Sequence, residues 1–399
     1  MNAPLNALNS TPSATPVWLD AAQSQVADLA ALIDAGRSAP APALAAEMAR
    51  GVPLYDCAAL SPRLGDAAFR RTLMAEWHDV LADGAGVLVL AGAWPDAGVV
   101  DAVTAEFHAL IEAERLTGGG GDHFAKPGAN DRVWNTLQKL CLRAPEAFAR
   151  YYANEWLALV STGWLGPAYQ VTSQVNCVNP GGAAQSPHRD YHLGFCTPAQ
   201  AMQYPASVHR LSPHLTLQGA VAHVDMPLES GPTLLLPHSQ KYEAGYLVAG
   251  RAEFTALFDA QHVQLPLRKG DAVFFNPALM HAAGHNRSAD IRRLGNLLQI
   301  SSAFGRAMES IDRVAMSTAL YPALLALTAA GTLDAAAAGH AIAACAEGYA
   351  FPTNLDRDPP IGGLAPASHQ ALMHQALAEG WEAARFSAAL QLRAGQQQA

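Results

Sequence analysis

His188 and Asp190 stand two positions apart, and His281 follows 91 residues after Asp190, in the run HAAGHNRSADIRR. On an extended strand, side chains two positions apart share a face, so His188 and Asp190 can converge on one ion. Two imidazoles and one carboxylate occupy one face of an octahedral metal and leave the opposite face open. This is the two-histidine, one-carboxylate arrangement of non-haem Fe(II) oxygenases. A bare HxD arises often by chance, so its surroundings must carry the weight. Two features stand out there: His285, a second candidate imidazole four residues after His281, and a cation, Arg292, eleven residues after His281.

The elements that would position these groups are short strands. Between Tyr169 and Phe304 the candidates are 171–178, 215–223, 233–236, 263–267, 272–275 and 294–302. Turn signals break them at Asn179-Pro180-Gly181-Gly182, Ser230-Gly231-Pro232 and Lys269-Gly270-Asp271. Many short strands at such spacing point to a barrel or jelly roll. Residues 1–16 are rich in Asn, Ser, Thr and Pro and read as a flexible N-terminus. Residues 17–168 read as a helical part with a first strand near 86–90, and Gly98–Leu116 carries apolar residues at helical spacing. The core is then 169–306, and 307–399 reads as a helical C-terminal extension, acting as a lid over the barrel mouth, a dimer contact or a plain helical tail. The fold class is therefore a mainly β core with flanking N-terminal and C-terminal helices.

The glycine run Gly118–Gly121 lacks the Lys-Ser/Thr of a phosphate cradle and reads as a connector. The polar residues that follow it, His123, Lys126, Asn130 and Arg132, offer an alternative role as the lining of a cofactor or substrate mouth. The chain has 399 residues, of which 50% are apolar and 15% charged, as in a compact enzyme. A net charge of −9 and a pI near 5.9 argue against nucleic-acid partners but leave room for a local basic pocket. The N-terminus lacks the pattern of a secretory signal, and the apolar stretches are too short and broken to span a membrane. Five scattered cysteines without CxxC read as reduced thiols, without a structural zinc site, in a cytoplasmic protein. A homo-oligomer is compatible with the sequence and not specified by it.

Three segments in order, GGAAQSPHRDYHLGF, SGPTLLLPHSQK and KGDAVFFNPALMHAAGHNRSADIRR, resemble the phytanoyl-CoA dioxygenase family of Fe(II)/2-oxoglutarate oxygenases. The resemblance covers roughly residues 84–304. It implies a double-stranded β-helix (a cupin-like jelly roll) with the metal at one mouth. It implies that His188, Asp190 and His281, rather than His285, are the iron ligands. It also implies that Arg292, at the family's offset from the late histidine, holds the distal carboxylate of 2-oxoglutarate. The chain departs from the pattern at Pro237-His238-Ser239-Gln240, where the family usually carries Pro-Gly-Ser-His, a difference that bears on turn conformation.

The chemistry suits these residue types. Fe(II) held by two neutral imidazoles and one carboxylate keeps three open positions, two for the keto and C1-carboxylate oxygens of 2-oxoglutarate and one for O2. The remaining carboxylate matches the planar fork of an arginine. Arg292 and Arg293 are adjacent, so on a strand only one points inward, and the offset favours Arg292. Gln174 and Asn176 share a strand face and are candidate contacts to 2-oxoglutarate or substrate. Thr233 is a candidate hydroxyl contact, with Ser301 as another. The expected reaction is hydroxylation of an unactivated C–H of a small molecule, with release of succinate and CO2. Alternatives are desaturation or cyclisation on the same fold, or a non-catalytic or differently metallated binding protein. Asp190 argues against halogenation, which in related enzymes needs that carboxylate replaced by a small residue.

Overall fold

The computed structural model describes residues 16–116 and 128–399. Nearly all of the N-terminal segment, the glycine run, His123 and Lys126 lie outside the described residues. Two sheets are built from the strands β1 (Glu47–Ala49), β2 (Val52–Asp56), β3 (Val87–Ala91), β4 (Asn130–Val133), β5 (Gln170–Val178), β6 (Thr216–Ala222), β7 (Leu234–Leu235), β8 (Ala272–Phe275), β9 (His281–Ala282) and β10 (Arg293–Ser301). The larger, mixed sheet has eight strands in the order β1-β2-β3-β8-β6-β10-β5-β4, and β7 pairs with β9 in the smaller one. Isolated bridges extend the smaller sheet: His188 pairs with His281 on one side of it, and Val263 pairs with Leu235 on the other.

Alternation along the long strands decides what faces where. On β10, Leu294, Leu298 and Ile300 are fully buried among the helices, whereas Gly295, Leu297 and Gln299 turn to the interior between the sheets. On β5, Val171, Val175 and Cys177 join the helical core, and Gln174 and Asn176 face the interior. β8 does the same with Ala272 and Phe274 outward, and Val273 and Phe275 inward. Each buried Leu or Phe of this kind contributes ~1.5–3 kcal/mol by leaving water. A one-residue slip would expose the whole set, so the register of β5 against β10, with Asn176 opposite Gly295, is firmly specified.

The helices Ala67–Ala82, Ala97–Leu116, Thr136–Arg143, Pro145–Tyr152 and Glu155–Leu165 cover the outer face of the large sheet. The C-terminal helices Arg313–Ala329, Ala335–Cys345, His369–Ala378 and Ala383–Gln396 stack on that helical layer, joining Met316, Leu320, Tyr321 and Ile342 to the core that holds Phe148 and Tyr152. They therefore pack on the helical side of the large sheet. Among the described residues, no helix is long and apolar enough to cross a membrane.

Three features differ from the sequence reading. The run 263–267 forms only the bridges Leu235–Val263 and Met226–Leu267, because Pro266 has no N–H to continue a ladder. The region read as helical contains the hairpin β1–β2, which turns at Arg50 and Gly51, both at positive φ (52° and 84°). That is the turn usually signalled by Asn-Gly, and Arg in its first position hid it. The polar stretch after the glycine run, which holds Asn130 and Arg132, contains β4, the edge strand beside β5.

Candidate metal and cosubstrate site

His188 and His281 lie opposite each other on neighbouring extended segments and exchange both backbone hydrogen bonds, each 3.0 Å. This pairing brings their rings to 4.5 Å between centroids. Asp190 is fixed by its N–H donating to the Pro277 carbonyl at 3.0 Å and by its own carbonyl accepting from the Tyr246 hydroxyl at 3.1 Å. Each imidazole also meets a carbonyl two residues back: His188 Nδ1 meets Ser186 O at 2.8 Å, and His281 Nδ1 meets Leu279 O at 2.9 Å. A carbonyl only accepts, so both Nδ1 atoms carry the proton and both Nε2 atoms present lone pairs.

The Nε2 atoms face the Asp190 carboxylate at 3.8 Å (His188 to Oδ1) and 3.5 Å (His281 to Oδ2), too far for good hydrogen bonds. The three ligand atoms lie within 4.8 Å of one another. Two lone pairs and a carboxylate aimed at one point, without a proton between them, fit a shared cation better than they fit each other. Gln218 Nε2 donates to Asp190 Oδ2 at 2.7 Å and orients the carboxylate. Burial alone would raise the Asp190 carboxyl. The imidazoles of His281 and His188 and the Gln218 amide outweigh it and hold the group well below the usual range. Burial, reinforced by the neighbouring His281, pushes the His188 imidazole down, which favours the neutral ligand form.

The triad opens into a cavity of about 540 Å³ between the sheets. Its lining includes the buried apolar side chains of Met226, Leu267, Val273 and Phe275, and Arg293 as a buried cation. Arg293 donates through Nη1 to the carbonyls of Ser230 at 3.2 Å and Gly284 at 3.3 Å, which fixes its plane, and burial pulls its guanidinium down to about 10. Arg292, the arginine expected from its offset to His281, lies elsewhere. Its side chain is 46% exposed and lies 3.6 Å from Asp131 on the outer side, with Nε donating to Asn179 Oδ1 at 3.3 Å. The reason is strand parity: Arg293 shares the inward face with Gly295 and Leu297, and Arg292 shares the outward face with Leu294.

The remaining expected residues separate as follows. Gln174, Asn176 and Thr233 line the cavity; Ser301 does not, and His285 is exposed and absent from the lining. The Gln174 amide is engaged: its Oε1 accepts from Arg132 Nε at 3.0 Å and Nη2 at 2.6 Å, and its Nε2 approaches Met308 Sδ at 3.3 Å. Gln174 therefore holds Arg132 over the Trp134 ring, 5.0 Å from its centroid, in the lining of the same cavity. Sequence reasoning missed Gln218. Its place opposite Gln299 on paired strands was the available signal, but the pairing of β6 with β10 is not written in local sequence.

A model of the phytanoyl-CoA dioxygenase family matches residues 82–294, more than half of the chain. Among curated proteins, the dioxygenase trt7 of Aspergillus terreus (strain NIH 2624 / FGSC A1156) is 28% identical over 152 residues, 38% of this chain and 42% of its own length. The match thus spans under half of that relative. Among solved structures, the non-haem α-ketoglutarate-dependent epimerase SnoN from nogalamycin biosynthesis is 22% identical. It covers 60% of this chain and 85% of its own, with a TM-score of 0.42. HygX from Streptomyces hygroscopicus, solved with nickel, 2-oxoglutarate and hygromycin B, is 18% identical. It covers 59% of this chain and 90% of its own, also with a TM-score of 0.42.

Proposed function

This chain belongs to the phytanoyl-CoA dioxygenase family, and from that premise we propose that it is an Fe(II)- and 2-oxoglutarate-dependent dioxygenase that hydroxylates an unactivated C–H of a small molecule. The observation that carries this reading is one cavity with His188, Asp190 and His281 converging at one place and the buried Arg293 in its lining. We read the two facing sheets, the smaller one extended by the bridges to His188 and Val263, as a double-stranded β-helix.

In this reading His188 and His281 bind the metal through Nε2, and Asp190 supplies the one anionic ligand. Bound Fe(II) supplies the site for 2-oxoglutarate and O2 and the oxidising chemistry that yields succinate, CO2 and a hydroxylated product. Gln218 holds Asp190 in place. Arg293 takes the C5 carboxylate of 2-oxoglutarate with the donors it does not spend on Ser230 and Gly284. Met226, Leu267, Val273 and Phe275 exclude water from the cosubstrate, so the charge pair with Arg293 forms in a low-dielectric pocket. Trp134, Phe195 and Met308 line the open side, where a small substrate enters. The five cysteines are all unpaired, which supports a cytoplasmic site of action.

Succinate release with Fe(II), 2-oxoglutarate and O2 tests the reading. Wild type is expected to release succinate above a no-enzyme blank, and Asp190→Ala and His281→Ala to fall to the blank, while His285→Ala keeps the wild-type rate. Equal release by wild type and Asp190→Ala would sink the assignment.

A further inference from the structure

Arg189 lies between two of the proposed metal ligands, and its side chain points away from them into protein, only 3% exposed. Its Nη2 donates to the carbonyl of Ser239, its guanidinium lies 5.5 Å from the Tyr246 ring centroid, and its Nε has no partner. A buried cation held by a carbonyl and a ring face, without a carboxylate, costs more to desolvate than its contacts return. Its presence calls for a role other than stability.

The residues it touches supply that role. Ser239 accepts Arg189 through its carbonyl, and through Oγ it accepts the N–H of Met280 at 2.8 Å, the residue before His281. Tyr246, under the guanidinium, donates its hydroxyl to the carbonyl of Asp190 at 3.1 Å. The segment 239–246 therefore grips both arms of the triad, the 188–190 arm through Arg189 and Tyr246, and the 280–281 arm through Ser239. The segment is itself anchored. His238 adopts φ 71°, and its N–H donates to Ala85 O at 2.9 Å; its Nδ1 meets Gly84 O at 2.8 Å. Gln240 Nε2 donates to Gly84 O at 3.0 Å. Gly245 completes the fit, because a Cβ there would sit 1.8 Å from Arg189 Cζ.

We propose that Arg189, seated over Gly245 and bound to Ser239, is a positioning residue that sets the spacing of the His188–Asp190 arm against His281 and so the site's affinity for a divalent metal. This rests on the reading of His188, Asp190 and His281 as metal ligands. Residues that orient metal ligands from behind typically change metal affinity 10–100-fold when removed.

The test uses metal-free full-length protein titrated with Co(II), followed by visible absorption, alongside the thermal midpoint of each metal-free variant. Arg189→Met and Gly245→Ala are each expected to weaken Co(II) binding roughly 10–100-fold. Because Gly245→Ala acts by displacing Arg189, the double variant should bind no more weakly than Arg189→Met alone. Variants whose midpoints fall while Co(II) affinity stays within twofold of wild type overturn the proposal, as does an additive double variant. If Arg189→Met does not fold, Gly245→Ala and Tyr246→Phe carry the test: weakened Co(II) binding in both supports it, and wild-type affinity in both overturns it. Asp190→Ala separates the two ideas. Wild-type Co(II) binding by Asp190→Ala defeats the metal-site reading itself. Loss of binding there with unchanged Arg189 and Gly245 variants defeats only the positioning role.

Discussion

Replacing Arg293 by Gln should weaken 2-oxoglutarate binding far more than the same change at Arg292, although the two are adjacent. Arg293 is 7% exposed and walled by Met226, Leu267 and Phe275, so a carboxylate meeting it has lost its water. Removing one partner of a buried, hydrogen-bonded charge pair costs ~2–4 kcal/mol, within the 2–5 seen at interfaces, and leaves the other charge unpaired. At ~1.4 kcal/mol per factor of ten, that is roughly a 30- to 700-fold rise in the 2-oxoglutarate dissociation constant. Arg293→Lys keeps the charge but loses the fork, and its loss should fall between wild type and Gln. Arg292, 46% exposed and engaged with Asn179 and Asp131, faces solvent on the far side of the sheet. Water and salt screen it, so Arg292→Gln should alter binding by less than about twofold. The assay is calorimetric titration of 2-oxoglutarate into Ni(II)-loaded protein, with the KM for 2-oxoglutarate in succinate release as a second measure. An Arg292→Gln loss that equals or exceeds that of Arg293→Gln would refute both the parity argument and the assignment of Arg293.

Gln218→Leu removes the amide that donates to Asp190 Oδ2 at 2.7 Å, and Co(II) affinity should fall about 10-fold, with Gln218→Glu worse because it sets a second carboxylate beside the first. Equal affinity in wild type and Gln218→Leu would remove Gln218 from the site. His223 is buried against Thr104 and Tyr151, and burial pushes its imidazole down to about 3. It stays neutral in the folded protein while the unfolded chain protonates near 6.5, so its contribution is present above that pH and drains away as pH falls below it. Between pH 7 and 5 that is about 2 kcal/mol from this group. Urea midpoints at the two pH values should therefore differ less in His223→Gln than in wild type, and an unchanged difference would count against a neutral buried His223. Gly219→Ala should destabilise the protein measurably, since a Cβ there would lie 2.6 Å from the Phe274 ring across the β6–β8 pair. A thermal midpoint equal to wild type would show that the ring moves freely.

What the sequence revealed and what it hid divide along the range of the interactions. The convergence of His188 with Asp190 follows from period two within one segment, and the extents of β5, β8 and β10 follow from local alternation and turn residues. His281 could be preferred over His285 only through resemblance, and the structure gives a geometric reason to favour it: His281 is bonded to His188 through both backbone groups, while His285 is exposed past the end of β9. The sequence reading took Arg292 from its offset to His281, whereas the structure turns Arg293 to the cavity and leaves Arg292 on the outer face. Arg293 opposite Val178 is the first rung of the β10–β5 ladder, so the alternation of the strand reaches it. A carboxylate anchor fixed by an offset from a histidine is thus less secure than one fixed by the strand's own alternation. Leu294, Leu298 and Ile300 are continuous with the helical core, so Arg293, Gly295, Leu297 and Gln299 must face the other way. That inference was available from the hydrophobic pattern alone: the even positions of β10 are the residues a helical layer would bury, and a cation among odd ones has only the cavity to enter.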